Sequence, residues 1–134
     1  MKLRRLFLIV LTFFSFSCKH QTNEEYSRLI IGNWQLYNFS TNQKISNQQE
    51  YKRMSRQIIL STSLIIRPDG RIKSVIWGTS DNGYWQVKGD ELIVYDKKHR
   101  SKFSAKILKL NKEQLLLYQH VGKVKVVLYF RRFE

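Results

Sequence analysis

From Ile30 onward, apolar and polar residues alternate with a period of two along most of the chain. That spacing turns one face of a strand to a core and the other to water. Residues 30–39 alternate around Gly32, Trp34 and Leu36. The chain turns polar at Thr41 and the period changes, with Tyr51, Met54 and Ile58 near helical spacing behind a Ser46 that has Gln49 three residues on. A Ser followed by Gln at that distance is a helix-start signal, so a short helix is predicted over 47–57, with Lys52, Arg53 and Arg56 on its wet side. The β period then returns. Residues 61–67 and 71–77 flank Pro68-Asp69-Gly70, where Pro presets φ and Gly accepts positive φ. Residues 83–87 and 91–96 flank Lys88-Gly89-Asp90, and residues 102–110 and 114–119 flank Asn111-Lys112-Glu113. Val121-Gly122-Lys123 turns into residues 124–133.

Short strands with hairpin-length joints, the one long joint holding the helix, predict an all-β fold: an eight-stranded antiparallel up-and-down barrel with one short helix between the first two strands. Closure removes the exposed edges that an open meander would leave. Eight strands enclose an interior that side chains can fill or that can admit one small ligand. One internal echo pairs Gly32-Asn33-Trp34-Gln35-Leu36 with Gly83-Tyr84-Trp85-Gln86-Val87, as expected if two strands enter the barrel in similar ways.

The N-terminus follows a different rule. Lys2, Arg4 and Arg5 precede residues 6–16, which are apolar except Thr12 and Ser15. A bilayer span needs roughly 20 apolar residues, so this run is too short, and a charged start followed by a short apolar run and small residues is the secretory-signal pattern. Ser15-Phe16-Ser17-Cys18 resembles a relaxed bacterial lipobox, with Ser15 where the commonest form has Leu. On this reading residues 1–17 are a lipoprotein signal peptide, Cys18 becomes the acylated first residue (palmitate among its chains), 18–27 are a polar tether and 28–134 are the barrel domain. The alternatives are ordinary cleavage nearby with a free Cys, or a short hydrophobic anchor. The lipoprotein reading places the protein on a membrane of the bacterial cell envelope, the outer membrane being the first choice.

Charge then changes the picture. The chain carries 24 Lys+Arg against 10 Asp+Glu, a net +14, and loss of Lys2, Arg4 and Arg5 with the signal leaves +11 before terminal groups. Such a charge invites a nucleic-acid reading, to which Tyr95 near Lys97 would add base stacking. The export signal argues against nucleic acid as a partner, because an envelope protein seldom meets it. Lys97, Lys98, Arg100 and Lys102, with His99 among them, form the densest basic run. It reads either as a solvated face or as a surface for anionic lipid or glycan.

Catalytic chemistry is hard to find. The lone Cys excludes an intramolecular disulfide and a zinc site built on paired thiolates. His20, His99 and His120 lack a second ligand at i+2 or i+4, so no metal site is expected. Asp69, Asp81, Asp90 and Asp96 occupy turn or strand-end positions, where Asp bonds its own backbone. Nucleophile-elbow, phosphate-loop and dinucleotide motifs are missing. No catalytic residue, cofactor or enzymatic activity is assigned.

Several motifs taken in order carry a family resemblance. Gly32/Trp34, Asp69/Gly70, Gly83/Trp85, Gly89/Asp90 and Phe130/Arg132 stand in the order found in short lipocalin-like domains of bacterial lipoproteins, so residues 28–134 resemble that branch of the calycin group. The resemblance implies that a terminal Arg packs on Trp34 to close one barrel end. Alternation with Val124, Val126, Leu128 and Phe130 favours Arg132 over Arg131 for this role. It also implies a pocket for a small hydrophobic or amphipathic ligand, for which Trp34, Trp77, Trp85 and Phe130 are the candidate lining. The expected function is ligand binding or an envelope-structural role. The alternative is a protein-interaction or inhibitor module with a solid barrel core and a basic surface that meets anionic lipid, glycan or a protein partner.

Overall fold

A computed structural model of the chain describes residues 23–133. The expected signal peptide, Cys18 and the first part of the expected tether lie outside the described residues. The order is α1 (Asn23–Leu29), β1 (Gly32–Thr41), α2 (Gln48–Leu60), β2 (Ser63–Ile66), β3 (Arg71–Ile76), β4 (Thr79–Lys88), β5 (Glu91–Tyr95), β6 (Ser101–Leu110), β7 (Gln114–Val121) and β8 (Val124–Phe133). Each strand pairs antiparallel with the next, and β8 returns to pair with β1, closing an up-and-down barrel.

In this topology β1 runs from one end of the barrel to the other. Its first residues share an end with α1, the β2–β3, β4–β5 and β6–β7 joints and the last residues of β8. This end is closed. Tyr26 and Leu29 of α1 pack on the core, Ile30 and Trp34 are fully buried, and Leu92, Leu115, Leu117 and Phe130 fill the space with them. The opposite end gathers α2, the Trp77-Gly78 turn and the Gly122-Lys123 turn, while the short β5 ends level with Tyr84 and sets the β5–β6 joint on the outer wall.

The observed elements depart from expectation in four places. The segment expected as tether is helical from Asn23, because Tyr26 and Leu29 supply an apolar side that the closed end can bury. α2 is capped by Asn47, not Ser46: the Asn47 side chain accepts from the Glu50 amide at 3.2 Å, and Asn caps a helix as well as Ser does. The helix also runs on to Leu60, where the Gln35 amide donates to the Ile59 carbonyl at 2.8 Å and to the Thr62 carbonyl at 3.0 Å. Finally, β4 begins at Thr79, four residues before Gly83, since Trp77 and Gly78 both adopt positive φ and turn the chain directly from Ile76 to Thr79.

The two Gly-x-Trp segments have a common physical cause. A Cβ at Gly32 would overlap the Arg132 guanidinium, and one at Gly83 would overlap the Tyr95 carbonyl. Each glycine lets another group cross the strand at close range.

Candidate functional site

The closed end is a plug. The Arg132 guanidinium lies over the Trp34 ring with its carbon 4.2 Å from the ring centre. Its nitrogens donate to Lys112 O (2.6 Å), Ile31 O (2.7 Å) and Leu29 O (2.7 Å), and the Trp34 indole donates to Ile30 O at 2.8 Å. Burial lowers the Arg132 pKa, yet an arginine this far above neutrality keeps its charge. Arg131 points outward, its guanidinium 4.6 Å from the centre of the Tyr37 ring.

Above the plug the barrel is not filled. A chamber of about 370 Å³ occupies its open half, with Leu36, Leu64, Ala105, Leu117 and Phe130 at its base and Phe39, Ile58, Val126 and Leu128 on its walls. Trp77, Ile76 and Val121 stand at the mouth and are 64%, 41% and 59% exposed. Thr41, Thr62 and Gln119 are the polar side chains of the lining. Two local features build it. A bulge at Tyr37, where the β1–β8 register shifts between Leu36 and Asn38, brings Phe39 and Thr41 into the inward phase. α2 then crosses beside the mouth, with Ile58 turned into the chamber and Tyr51 set edge-on to Phe39 at 6.2 Å. A second concavity of about 360 Å³ shares Phe39, Thr41, Ile58 and Trp77 with the chamber and continues along α2 past Lys44 and Ser55.

Of the four pocket candidates, Phe130 and Trp77 line this chamber, while Trp34 and Trp85 do not. Trp34 belongs to the plug. Trp85 is half-buried on the inward phase of β4 opposite Val94 and packs on the core at the closed end, its indole donating to Arg67 O at 2.7 Å, and it borders a shallow surface concavity with Tyr84 and Tyr95. Both indoles are held by carbonyls at the closed end and so are drawn away from the open half.

The basic run Lys97, Lys98, Arg100 and Lys102 lies on the β5–β6 joint and the start of β6. Half of it is paired: Arg100 Nε meets Asp96 at 3.0 Å, and Lys102 bonds Asp81. Asp96 also accepts from the Arg100 and Lys98 amides, both at 2.9 Å, and these bonds hold its carboxyl below the usual carboxylate range. The Lys102 ammonium does the same for Asp81. His99 takes a positive φ and stacks on Tyr84, 4.3 Å between ring centres.

Charge is divided between the two ends. Among the described residues, the joints around the mouth (42–62, 77–78 and 122–123) hold Lys44, Lys52, Arg53, Arg56 and Lys123 against Glu50, while the β5–β6 joint lies on the outer wall, where Lys97 shares a concavity with Arg67 and Arg71. The closed-end segments (23–31, 67–70, 89–90 and 111–113) hold Arg28, Arg67 and Lys112 against Glu24, Glu25, Asp69, Asp90 and Glu113. The large exposed apolar residues Leu60, Trp77, Val121, Met54, Ile76 and Ile45 also lie at the open end, leaving only Leu108 and Phe133 elsewhere. No cluster of His, Cys, Asp and Glu suited to a metal occurs among the described residues, and no described helix is long and apolar enough to cross a membrane.

A closed eight-stranded meander, plugged at one end and open at the other, has solved counterparts. A lipocalin-like protein from Bacteroides uniformis superposes with a TM-score of 0.54 at 20% identity, covering 78% of this chain and 98% of that one. The fold is lipocalin-like. An uncharacterized protein from Bacteroides eggerthii gives a TM-score of 0.52 at 14% identity, covering 77% of this chain and 98% of its own. Neither a family model nor a curated protein sequence matches the chain. At such identities the shared property of this lipocalin-like barrel and its counterparts is the fold.

Thr62, Gln119, Ala105 and Val126 were not among the sequence candidates. Alternation marks them as inward-facing but does not tell a filled half from an open one.

Proposed function

We propose that the protein is a binding protein of the bacterial envelope, tethered through an acylated Cys18, that carries a small hydrophobic or amphipathic molecule in the open half of its barrel. The observation that carries this reading is the chamber itself. Its volume of about 370 Å³ lies within the range of small-molecule sites, and its lining is apolar with a few polar groups near the mouth. A barrel evolved only for a solid core would lose dispersion contacts along every wall of such a space. The strained Trp77 at the mouth agrees with it, because a bulky residue at φ +55° is held there at a cost that a turn glycine or asparagine would avoid.

The test is an equilibrium titration with a neutral solvatochromic dye. Wild-type protein is expected to bind it with a blue shift, while Ala105→Phe, which adds a ring at the chamber base, binds at least tenfold more weakly. Equal binding by both proteins would remove the chamber as the site. For the tether, Cys18→Ser is expected to release the protein from the membrane fraction, and undiminished retention would refute acylation.

A further inference from the structure

We infer that the ligand is a single-chain amphiphile with an anionic, oxygen-bearing head, its chain in the chamber and its head at the mouth; this rests on the chamber being a ligand site. Three independent observations converge. The chamber base and walls are hydrocarbon, suited to an alkyl chain. Its mouth adjoins α2 with its flanking segments and the Gly122-Lys123 turn, which hold Lys44, Lys52, Arg53, Arg56 and Lys123 against Glu50, so the potential there is positive and focused by a low-dielectric rim. Two hydroxyls beside that mouth are orphans. Thr62, 7% exposed, lines the chamber, and Ser55 lines the adjoining concavity; Thr62 Oγ1 and Ser55 Oγ are both buried with no hydrogen-bond partner.

A buried hydroxyl without a partner costs about 1–3 kcal/mol, and a head-group oxygen that accepts from it removes that cost. An uncharged hydrocarbon would leave both hydroxyls and the positive potential unused. A cationic head would be repelled. A carboxylate or phosphate at the level of Thr62 uses all three features, with the chain below and the rim cations above. Lys44 on the adjoining concavity, Lys52, Arg53 and Arg56 on α2 and Lys123 on the β7–β8 turn form no ion pair among the described residues, whereas Arg100 and Lys102 are engaged with Asp96 and Asp81.

The experiment is displacement of the bound neutral dye from the intact chain by four competitors of one chain length: dodecanoate, dodecyl phosphate, dodecanol and dodecyltrimethylammonium. Both anions are expected to compete at about tenfold lower concentration than dodecanol, with the ammonium weakest, and added salt should narrow the gap. Thr62→Val should narrow the gap between the anions and the ammonium about fivefold, whatever its effect on the dye. Replacing Lys44, Lys52, Arg53, Arg56 and Lys123 together by Gln should abolish the preference of anion over ammonium. Dye binding with no preference among the heads, or with the ammonium strongest, overturns the inference and leaves the chamber as a ligand site. Failure of the dye and all four competitors to bind overturns both.

Discussion

Arg132 joins three parts of the chain that are far apart in sequence. Its donors reach Leu29 and Ile31 before β1 and Lys112 in the β6–β7 turn, and its face covers Trp34. Removing it strands three carbonyls at a packed end, so Arg132→Ala is expected to cost about 3 kcal/mol in urea unfolding, and Arg132→Lys nearly as much, since an ammonium cannot reproduce the planar fork. Arg131→Ala, which loses only an exposed contact with Tyr37, should cost no more than about 1 kcal/mol. Equal losses at the two arginines would contradict this assignment. The choice between them was legible because β8 keeps an unbroken alternation from Val124 to Arg132, in register with β1 at Trp34. Thr62 was not legible, since a threonine at the start of a strand looks the same in sequence whether or not its hydroxyl finds a partner.

Among the elements, the Trp77-Gly78 turn separates stability from function. Two residues at positive φ between paired strands are served best by Asn-Gly, and a left-handed tryptophan costs about 1–2 kcal/mol more than glycine there. Trp77→Asn is therefore expected to raise stability by about 1 kcal/mol while it weakens dye binding, and a destabilised variant with intact binding would show that the ring serves the fold alone. The β5–β6 joint carries the acid sensitivity. Asp96 and Asp81 have folded pKa values below the unfolded carboxylate value of about 3.9, so their stabilisation is complete above that pH and is lost as the pH falls through the folded values. Asp96→Asn keeps an oxygen for the two amides and no longer titrates; its melting temperature should fall less steeply below about pH 4 than that of the wild type. An unchanged acid slope would assign that loss to other groups. Strand number, strand order and the hairpins at 68–70, 88–90, 111–113 and 121–123 were readable from turn residues and alternation, whereas the Trp77-Gly78 hairpin was not, because a tryptophan is not a turn signal. The bulges at Tyr37 and Leu108 were not, because a register shift depends on the partner strand, and the Tyr37 bulge is what turns Phe39 and Thr41 into the chamber.

At the scale of the whole molecule the two ends of the barrel have different physics. One end is plugged by Trp34 and Arg132, and its joints carry more acid than base. The other is open, apolar at its rim and strongly basic in its joints. The uniform basic charge of the composition thus becomes an axis along the barrel. Both Gly-x-Trp motifs contribute by allowing the close strand crossings that gather the core toward the closed half. α1 packs on that closed end, so the tether proposed ahead of Asn23 would hold the barrel by its plug and leave the mouth free. Occupation of the chamber in the cell is tested by native mass spectrometry of protein extracted from its own membrane. The wild type is expected to carry one additional mass of a single-chain lipid that Ala105→Phe lacks; repeated recovery of the wild type with no added mass, or with the same mass on both proteins, would contradict it.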